Sequence, residues 1–311
     1  MKLTDAKIPL ALLLISATLY LLLKNPSISG SDYKNNLSNK AVLVCDASSG
    51  LGEQLAYELA KQGARLMLVT RTGRSETLLY VLKDGKLASP QAQSQISAQT
   101  FGKLKKVGEE AVRLGSPQVE LMSWDFGNVT GSHTIVDQTV ALLGGLDYLV
   151  LNQAELPRGD FLQFKDRHTP HFIDRSFSVN VFSMIEIAQK AMPHLEQSRG
   201  HIFITSSLLG EVPKAGMSVF SATKHALNGF FYSLQRELQS MKSPVTVTLG
   251  SLGEIAPAVK MPVFKLPAWM VGDLTECAHK MVDSFITRPK TFTYPKLHPF
   301  LARFSWTFLT N

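Results

Sequence analysis

The chain has 311 residues, 45% of them hydrophobic and only 18% charged, which gives enough apolar surface for one sizeable core and little for a second. Its net charge of +7 suits partners that carry phosphate or an anionic membrane surface, but the lysines and arginines are spread along the chain and not gathered into the stripe or arm of a nucleic-acid binder. Two cysteines far apart in sequence, Cys45 and Cys277, exclude a disulfide framework and a zinc site and read as small buried hydrophobes.

At the start, Ile8 to Leu23 is apolar apart from Ser16, Thr18 and Tyr20, with Lys2, Lys7 and Lys24 around it. As a helix this run spans about 24 Å, short of a hydrocarbon core of roughly 30 Å unless the lysines snorkel or the bilayer thins. Residues 1–24 therefore read as a single-pass N-terminal membrane anchor, with a cleaved signal peptide ending near Ser27-Ile28-Ser29 as the rival. Lysines on both sides leave its orientation open. A polar linker follows over residues 25–40. Two glycosylation triplets, Asn36-Leu37-Ser38 and Asn128-Val129-Thr130, are usable only if the body faces a secretory lumen.

From Ala41 onward, short β-branched runs alternate with longer amphipathic ones, the pattern of βαβ units in a parallel sheet. Strands are predicted at Ala41–Cys45, Arg65–Thr70, Val119–Trp124, Tyr148–Leu151, His201–Thr205 and Val245–Leu249, each apolar enough to be covered by helices on both faces. Helices are predicted at Gly52–Gln62, Gly131–Leu143, Pro170–Leu195 and Ala222–Met241, the last with apolar residues spaced at Leu227, Phe230, Phe231, Leu234 and Leu238. The expected fold over residues 41–290 is α/β: a doubly wound parallel-sheet Rossmann fold in three α/β/α layers. Residues 75–100, rich in Ser, Gln and Ala, break the rhythm and read as a surface insertion. Residues 291–311 form an aromatic tail in which Phe300, Phe304 and Phe308 share one helical face, either a membrane-surface helix or a seam against the core or a second copy. His168, His171, His225 and His279 have no ligand spacing with an acid or cysteine and read as ordinary histidines.

The first strand runs into Asp46-Ala47-Ser48-Ser49-Gly50-Leu51-Gly52 and then a helix, the strand, tight loop and helix that cradle a pyrophosphate on backbone N–H groups and a helix dipole. Gly50 lets the backbone approach the phosphates, and Gly52 lets the helix pack closely. This stretch resembles the Thr-Gly-x-x-x-Gly-x-Gly loop of the short-chain dehydrogenase/reductase family, with Cys45 and Asp46 in place of its Thr-Gly. The resemblance continues through Leu149-Val150-Leu151-Asn152, Asn180, Ser206-Ser207-Leu208-Leu209-Gly210 and Phe220-Ser221-Ala222-Thr223-Lys224. The Asn152 region, the run from Ser207 to Gly210, Asn228-Gly229-Phe230-Phe231 and Leu252-Gly253 look most like the 11-beta-hydroxysteroid dehydrogenase type 1 group, itself anchored in the endoplasmic reticulum membrane by an N-terminal helix.

The resemblance implies an NADP(H)-dependent oxidoreductase acting on a lipophilic alcohol or ketone, with a homodimer formed through the helices around Asn180 and Phe220. It assigns Ser207 to hydrogen-bonding the substrate oxygen, Lys224 to the nicotinamide ribose and Asn180 to a water in the proton relay. The family's proton-donating tyrosine falls at Phe220, thirteen residues after Ser207 and four before Lys224, and a phenyl ring has no proton to give. Tyr232 lies too far along the same helix to substitute. Ser48, Gly50, Leu51, Gly52 and Asn152 are expected to line the cofactor, and Asp125 to meet its adenine. At the end of the second strand, where an acid selects NAD and an arginine accommodates the extra phosphate of NADP, stand Arg71 and Arg74. Asp46 puts a carboxylate where the phosphates pass, so weakened cofactor binding is expected. Ala256-Pro257 replaces a threonine that relatives often carry near the nicotinamide. The alternative to an enzyme is a catalytically impaired pseudoenzyme serving as a lipid- or protein-binding module.

Overall fold

The computed structural model describes residues 37–48, 50–71, 78–83, 86–88, 98–157, 169–256 and 271–295. The anchor at residues 1–24, most of the linker, Arg74, Pro257 and the tail from residue 296 lie outside them, and among the described residues no helix is long and apolar enough to cross a membrane.

In chain order the first half holds β1 (Ala41–Cys45), α1 (Gly50–Lys61), β2 (Arg65–Arg71), β3 (Leu78–Lys83), β4 (Lys86–Ala88), α2 (Ala98–Arg113), β5 (Val119–Trp124), α3 (His133–Leu143) and β6 (Tyr148–Leu151). The second half holds α4 (Thr169–Phe177), α5 (Ser183–Ser198), β7 (His201–Thr205), α6 (Ser218–Ser240), β8 (Thr246–Leu252), β9 (Ile255–Ala256), β10 (Gly272–Asp273), α7 (Leu274–Thr287) and β11 (Thr291–Tyr294). The main sheet runs β11-β8-β7-β6-β1-β2-β5-β3-β4. From β11 to β5 every pairing is parallel, and β3 and β4 are antiparallel at one edge. The chain builds outward from β1 through β2 to β5, then returns to the other side of β1 with β6, so the order reverses between β1 and β6. In open α/β sheets that reversal opens a crevice at the carboxyl ends of the strands.

Successive strand residues point to opposite faces, and here both faces are covered. Val42, Val44, Leu66 and Leu68 pack with Leu55 and Leu59 of α1, Leu104 and Val107 of α2, and Met281 and Phe285 of α7. Leu43, Cys45, Met67 and Val69 pack on the other side with Ile135 of α3, Ile187 of α5, and Leu227 and Phe231 of α6. The expected three-layer fold is therefore present. Cys45 and Cys277 are buried on opposite sides of the sheet, as small hydrophobes.

Four segments differ from the sequence reading. The 75–100 insertion is not simply a surface loop: Leu78-Leu79-Tyr80-Val81-Leu82 forms β3, which pairs with β5, and β4 pairs with β3. The polar composition of the whole stretch masks this apolar run. The predicted Pro170–Leu195 helix is broken into α4 and α5 by one π-helical turn, Ser178–Phe182, a feature frequent at functional sites. The sheet passes the boundary drawn at residue 290, because Thr291-Phe292-Thr293-Tyr294 aligns with β8 as β11. The linker's last residues belong to the body, with Leu37 buried in the core and Lys40 paired to Asp147 at 2.9 Å.

Candidate active site

β1 ends at a turn whose first residue, Asp46, has φ 59°, the left-handed region that glycine enters most readily. The Asp46 carbonyl accepts a hydrogen bond from Asn152 Nδ2 at 3.3 Å, which ties the turn to the end of β6. Gly50 also has positive φ, 55°, and a Cβ built on it would meet nothing within 4 Å, so the start of α1 faces open space. Gly52 is the opposite case: its Cβ would lie 2.0 Å from the Asp46 carbonyl, so only glycine lets α1 start this close to the turn. In shape, this cradle fits a pyrophosphate on the N-terminus of α1. The same turn carries the Asp46 carboxyl. The half-buried Asp46 carboxyl is held above its usual pKa range by loss of water, while the positive charge of Arg71 acts in the opposite direction.

The crevice beside this turn contains a cavity of about 240 Å³. Leu51, Asn152, Ser207, Phe220 and Lys224 line it together with Glu254 and apolar residues that include Ala154, Leu156, Leu209 and Ile255. Ser207 follows β7 and caps a short 3₁₀ turn, its Oγ accepting from Leu209 N at 3.2 Å, which leaves its proton available to an oxygen in the cavity. Phe220 and Lys224 sit one turn apart on α6. The Phe220 ring is buried against Leu209, Met217 and Ala154.

Lys224 is 1% exposed, its Nζ donates to the Thr205 carbonyl at 2.9 Å, and it lies 5.5 Å from the centroid of the Phe220 ring. Burial without a carboxylate partner brings its pKa down to about 7. Asn180 is fully buried in the π-helical turn. Its Oδ1 accepts from Glu155 N at 2.6 Å, and its Nδ2 donates to Glu155 O at 2.8 Å and to Thr223 Oγ1 at 3.1 Å. Its carboxamide thus joins the loop after β6 to α6.

The structure therefore brings Ser207, Phe220, Lys224, Asn152 and Leu51 to one cavity and places Asn180 behind it. Ser48, 7% exposed, lies in the adjoining turn. Arg71 and Asp125 stand further along, at the ends of β2 and β5, and neither side chain is solitary. Arg71 Nη1 lies 3.6 Å from a Glu155 carboxylate oxygen, and Asp125 accepts from Arg175 Nη2 and from Gly127 N, both at 3.0 Å. Sequence reasoning missed Glu155, Arg175 and the buried Glu254 in the cavity wall. No spacing rule could have found the first two, because a loop and a helix bring them together.

A serine after the fifth parallel strand, a lysine seventeen residues on and a glycine turn at the order reversal define a short-chain dehydrogenase site. The chain matches the short chain dehydrogenase family over residues 84–266, more than half its length, and belongs to that family. Within it, the chain is similar to the hydroxysteroid 11-beta-dehydrogenase 1-like proteins. It is 31% identical to the one from Danio rerio over 263 residues, which cover 84% of this chain and 80% of the relative. It is 30% identical to protein B of this kind from Xenopus laevis over 277 residues, covering 88% and 84%. A short chain dehydrogenase from Burkholderia cenocepacia, solved in complex with NADP, shares the fold with a TM-score of 0.63 at 23% identity, over 83% of this chain and 97% of that one.

Proposed function

We propose that the chain is an NADP(H)-binding protein of the endoplasmic reticulum membrane, held by a single-pass anchor at residues 1–24. Its cavity takes a lipophilic, steroid-like alcohol or ketone, and its own chemistry is disabled at Phe220. The observation that carries this reading is the meeting of Ser207, Phe220 and Lys224 in one cavity beside the β1–α1 turn. The hydroxysteroid naming of the relatives and the apolar walls Leu156, Leu209 and Ile255 support a lipophilic ligand. Arg71 at the end of β2 supports NADP(H). When bound, that cofactor supplies the hydride.

The chain's own residues then have separate tasks. Ser207 donates to the ligand oxygen, and Lys224 sets the electrostatics of the cavity. Phe220 fills the place of the proton donor without a proton. A second reading, a module that binds lipid or protein without turnover, is favoured by Phe220 and Asp46 departing together from the family motif. Exposed Phe182 and Phe230, 49% and 38% accessible on the helices that flank Asn180 and Phe220, support a homodimer through that face, which sedimentation of the purified chain would report.

Two experiments test this reading. Calorimetric titration with NADPH is expected to give one weak site per chain, with Asp46→Gly tightening it about fivefold, the worth of one relieved charge or strained turn of about 1 kcal/mol. Because the Asp46 carboxyl is shifted upward and repels phosphates only when ionised, that gain should grow as the pH rises through the carboxyl's raised range. Absence of binding by both forms overturns the nucleotide reading, and equal affinities overturn the role given to Asp46. Alkaline carbonate extraction of the expressed full chain should leave it with the membrane pellet, and release into the supernatant overturns the anchor.

A further inference from the structure

The groups expected to hold the adenine end of the nucleotide are held by one another. Arg71 Nη1 lies 3.6 Å from Glu155 Oε1 and donates to the Ala154 carbonyl at 3.4 Å. The same Glu155 oxygen accepts from Arg175 Nε at 3.3 Å, and Arg175 Nη2 goes on to Asp125 Oδ1 at 3.0 Å. A chain of alternating charge, Arg71 to Glu155 to Arg175 to Asp125, thus runs from the end of β2 across the loop after β6 to the end of β5. The Glu155 backbone within it is held in place, because the Asn180 carboxamide clamps both its N–H and its carbonyl. Asp46, close enough to feel the Arg71 charge, gives that arginine a second acidic neighbour.

We propose that the Glu155 carboxylate is a built-in substitute for the 2′-phosphate of NADP(H): it holds Arg71, and so determines how tightly this chain binds NADP(H) and how poorly it tells it from NAD(H). This inference rests on the nucleotide reading above. The physical argument is one of competition. An arginine ion-paired to a carboxylate in the free protein, here through one nitrogen at 3.6 Å, must give up that pairing to meet a phosphate, so the nucleotide gains only the difference between the two contacts. The side chains of Arg71 and Glu155 are 36% and 30% accessible, so the pair is open enough for a phosphate to displace it. Asp125 keeps Arg175 engaged when Glu155 loses its charge, which confines the effect of neutralising Glu155 to Arg71.

The test is calorimetry with NADPH and NADH on the wild type, Glu155→Gln, Arg71→Ala and the double variant. Wild type should bind the two nucleotides with nearly equal affinity. Glu155→Gln should bind NADPH about fivefold more tightly, the scale of one partly exposed ion pair, and NADH within about twofold of wild type. Arg71→Ala should cost NADPH more in the Glu155→Gln background than in the wild type, the non-additivity expected of groups that share a partner. Unchanged NADPH affinity in Glu155→Gln, or equal tightening of both nucleotides, overturns the proposal while leaving nucleotide binding intact. Failure of every form to bind either nucleotide overturns the nucleotide reading and this proposal with it. Should Glu155→Gln fold poorly by its melting curve, Arg71→Ala alone decides the matter: a large, NADPH-only loss of affinity in the wild-type background would mean that Glu155 does not occupy Arg71.

Discussion

Phe220→Tyr is expected to raise NADPH-dependent reduction of a lipophilic ketone by about 10²–10⁴ over the wild type, the usual contribution of a positioned general acid. The cavity is prepared for the new hydroxyl. Phe220 lines it with Ser207, and the cavity has about 240 Å³ of space, enough for one added oxygen. Lys224 Nζ, 5.5 Å from the ring centroid, is close enough to favour a developing phenolate in a wall that excludes water. The gain should fall in the upper part of that range, because residues that act as a unit respond non-additively and Ser207 and Lys224 are already in place. Following absorbance of NADPH across a panel of steroid and retinoid ketones measures it. A variant that binds NADPH yet stays silent with every ketone would favour the module that binds without turnover.

The second large effect concerns the scaffold. Phe203→Ala is expected to destabilise the domain by about 3–5 kcal/mol, the range for a buried phenylalanine reduced to alanine. Phe203 is fully buried on β7, with Phe285 of α7 and Phe292 of β11 each 5.7 Å away by ring centroid. Its ring also rests on Gly250, whose Cβ would come within 2.8 Å of it, so β8 offers no side chain to refill the space. The site shares this support, because Thr205 and Ser207 follow Phe203 at the end of β7. At about 2–4 °C per kcal/mol for a domain of this size, the melting temperature should fall by about 6–20 °C. A fall of only a degree or two would mean that α7 and β11 close over the cavity.

What the sequence made legible was local. Val42 to Cys45 is a continuous apolar run that only a covered strand explains, and the turn to Gly52 carries its own glycines, so the cradle could be read from residues adjacent in the chain. The substitution at Phe220 could be read because Ser207, Phe220 and Lys224 keep a fixed spacing through β7 and α6. The rest depends on contacts between distant segments. Glu155 meets Arg71 only because β2 and the loop after β6 end on the same side of the sheet, and it meets Arg175 only because α4 packs across that loop. Lys224 carries no mark of its lowered pKa until α6 is seen to bury it. β3 was obscured by the polar residues around it, and β11 by a tail whose aromatics fit a membrane-surface helix or a seam against the core or a second copy equally well.

The wild-type chain is expected to hold a nucleotide and a lipophilic carbonyl compound side by side without turnover, because position 220 carries no phenol. Rapid mixing of the NADPH-saturated wild type with a steroid ketone, followed at once by NADPH fluorescence and by absorbance, tests this most directly. A fluorescence change is expected as the ketone binds, with no oxidation on the timescale at which Phe220→Tyr turns over. Oxidation by the wild type at a rate comparable to that of Phe220→Tyr would contradict this.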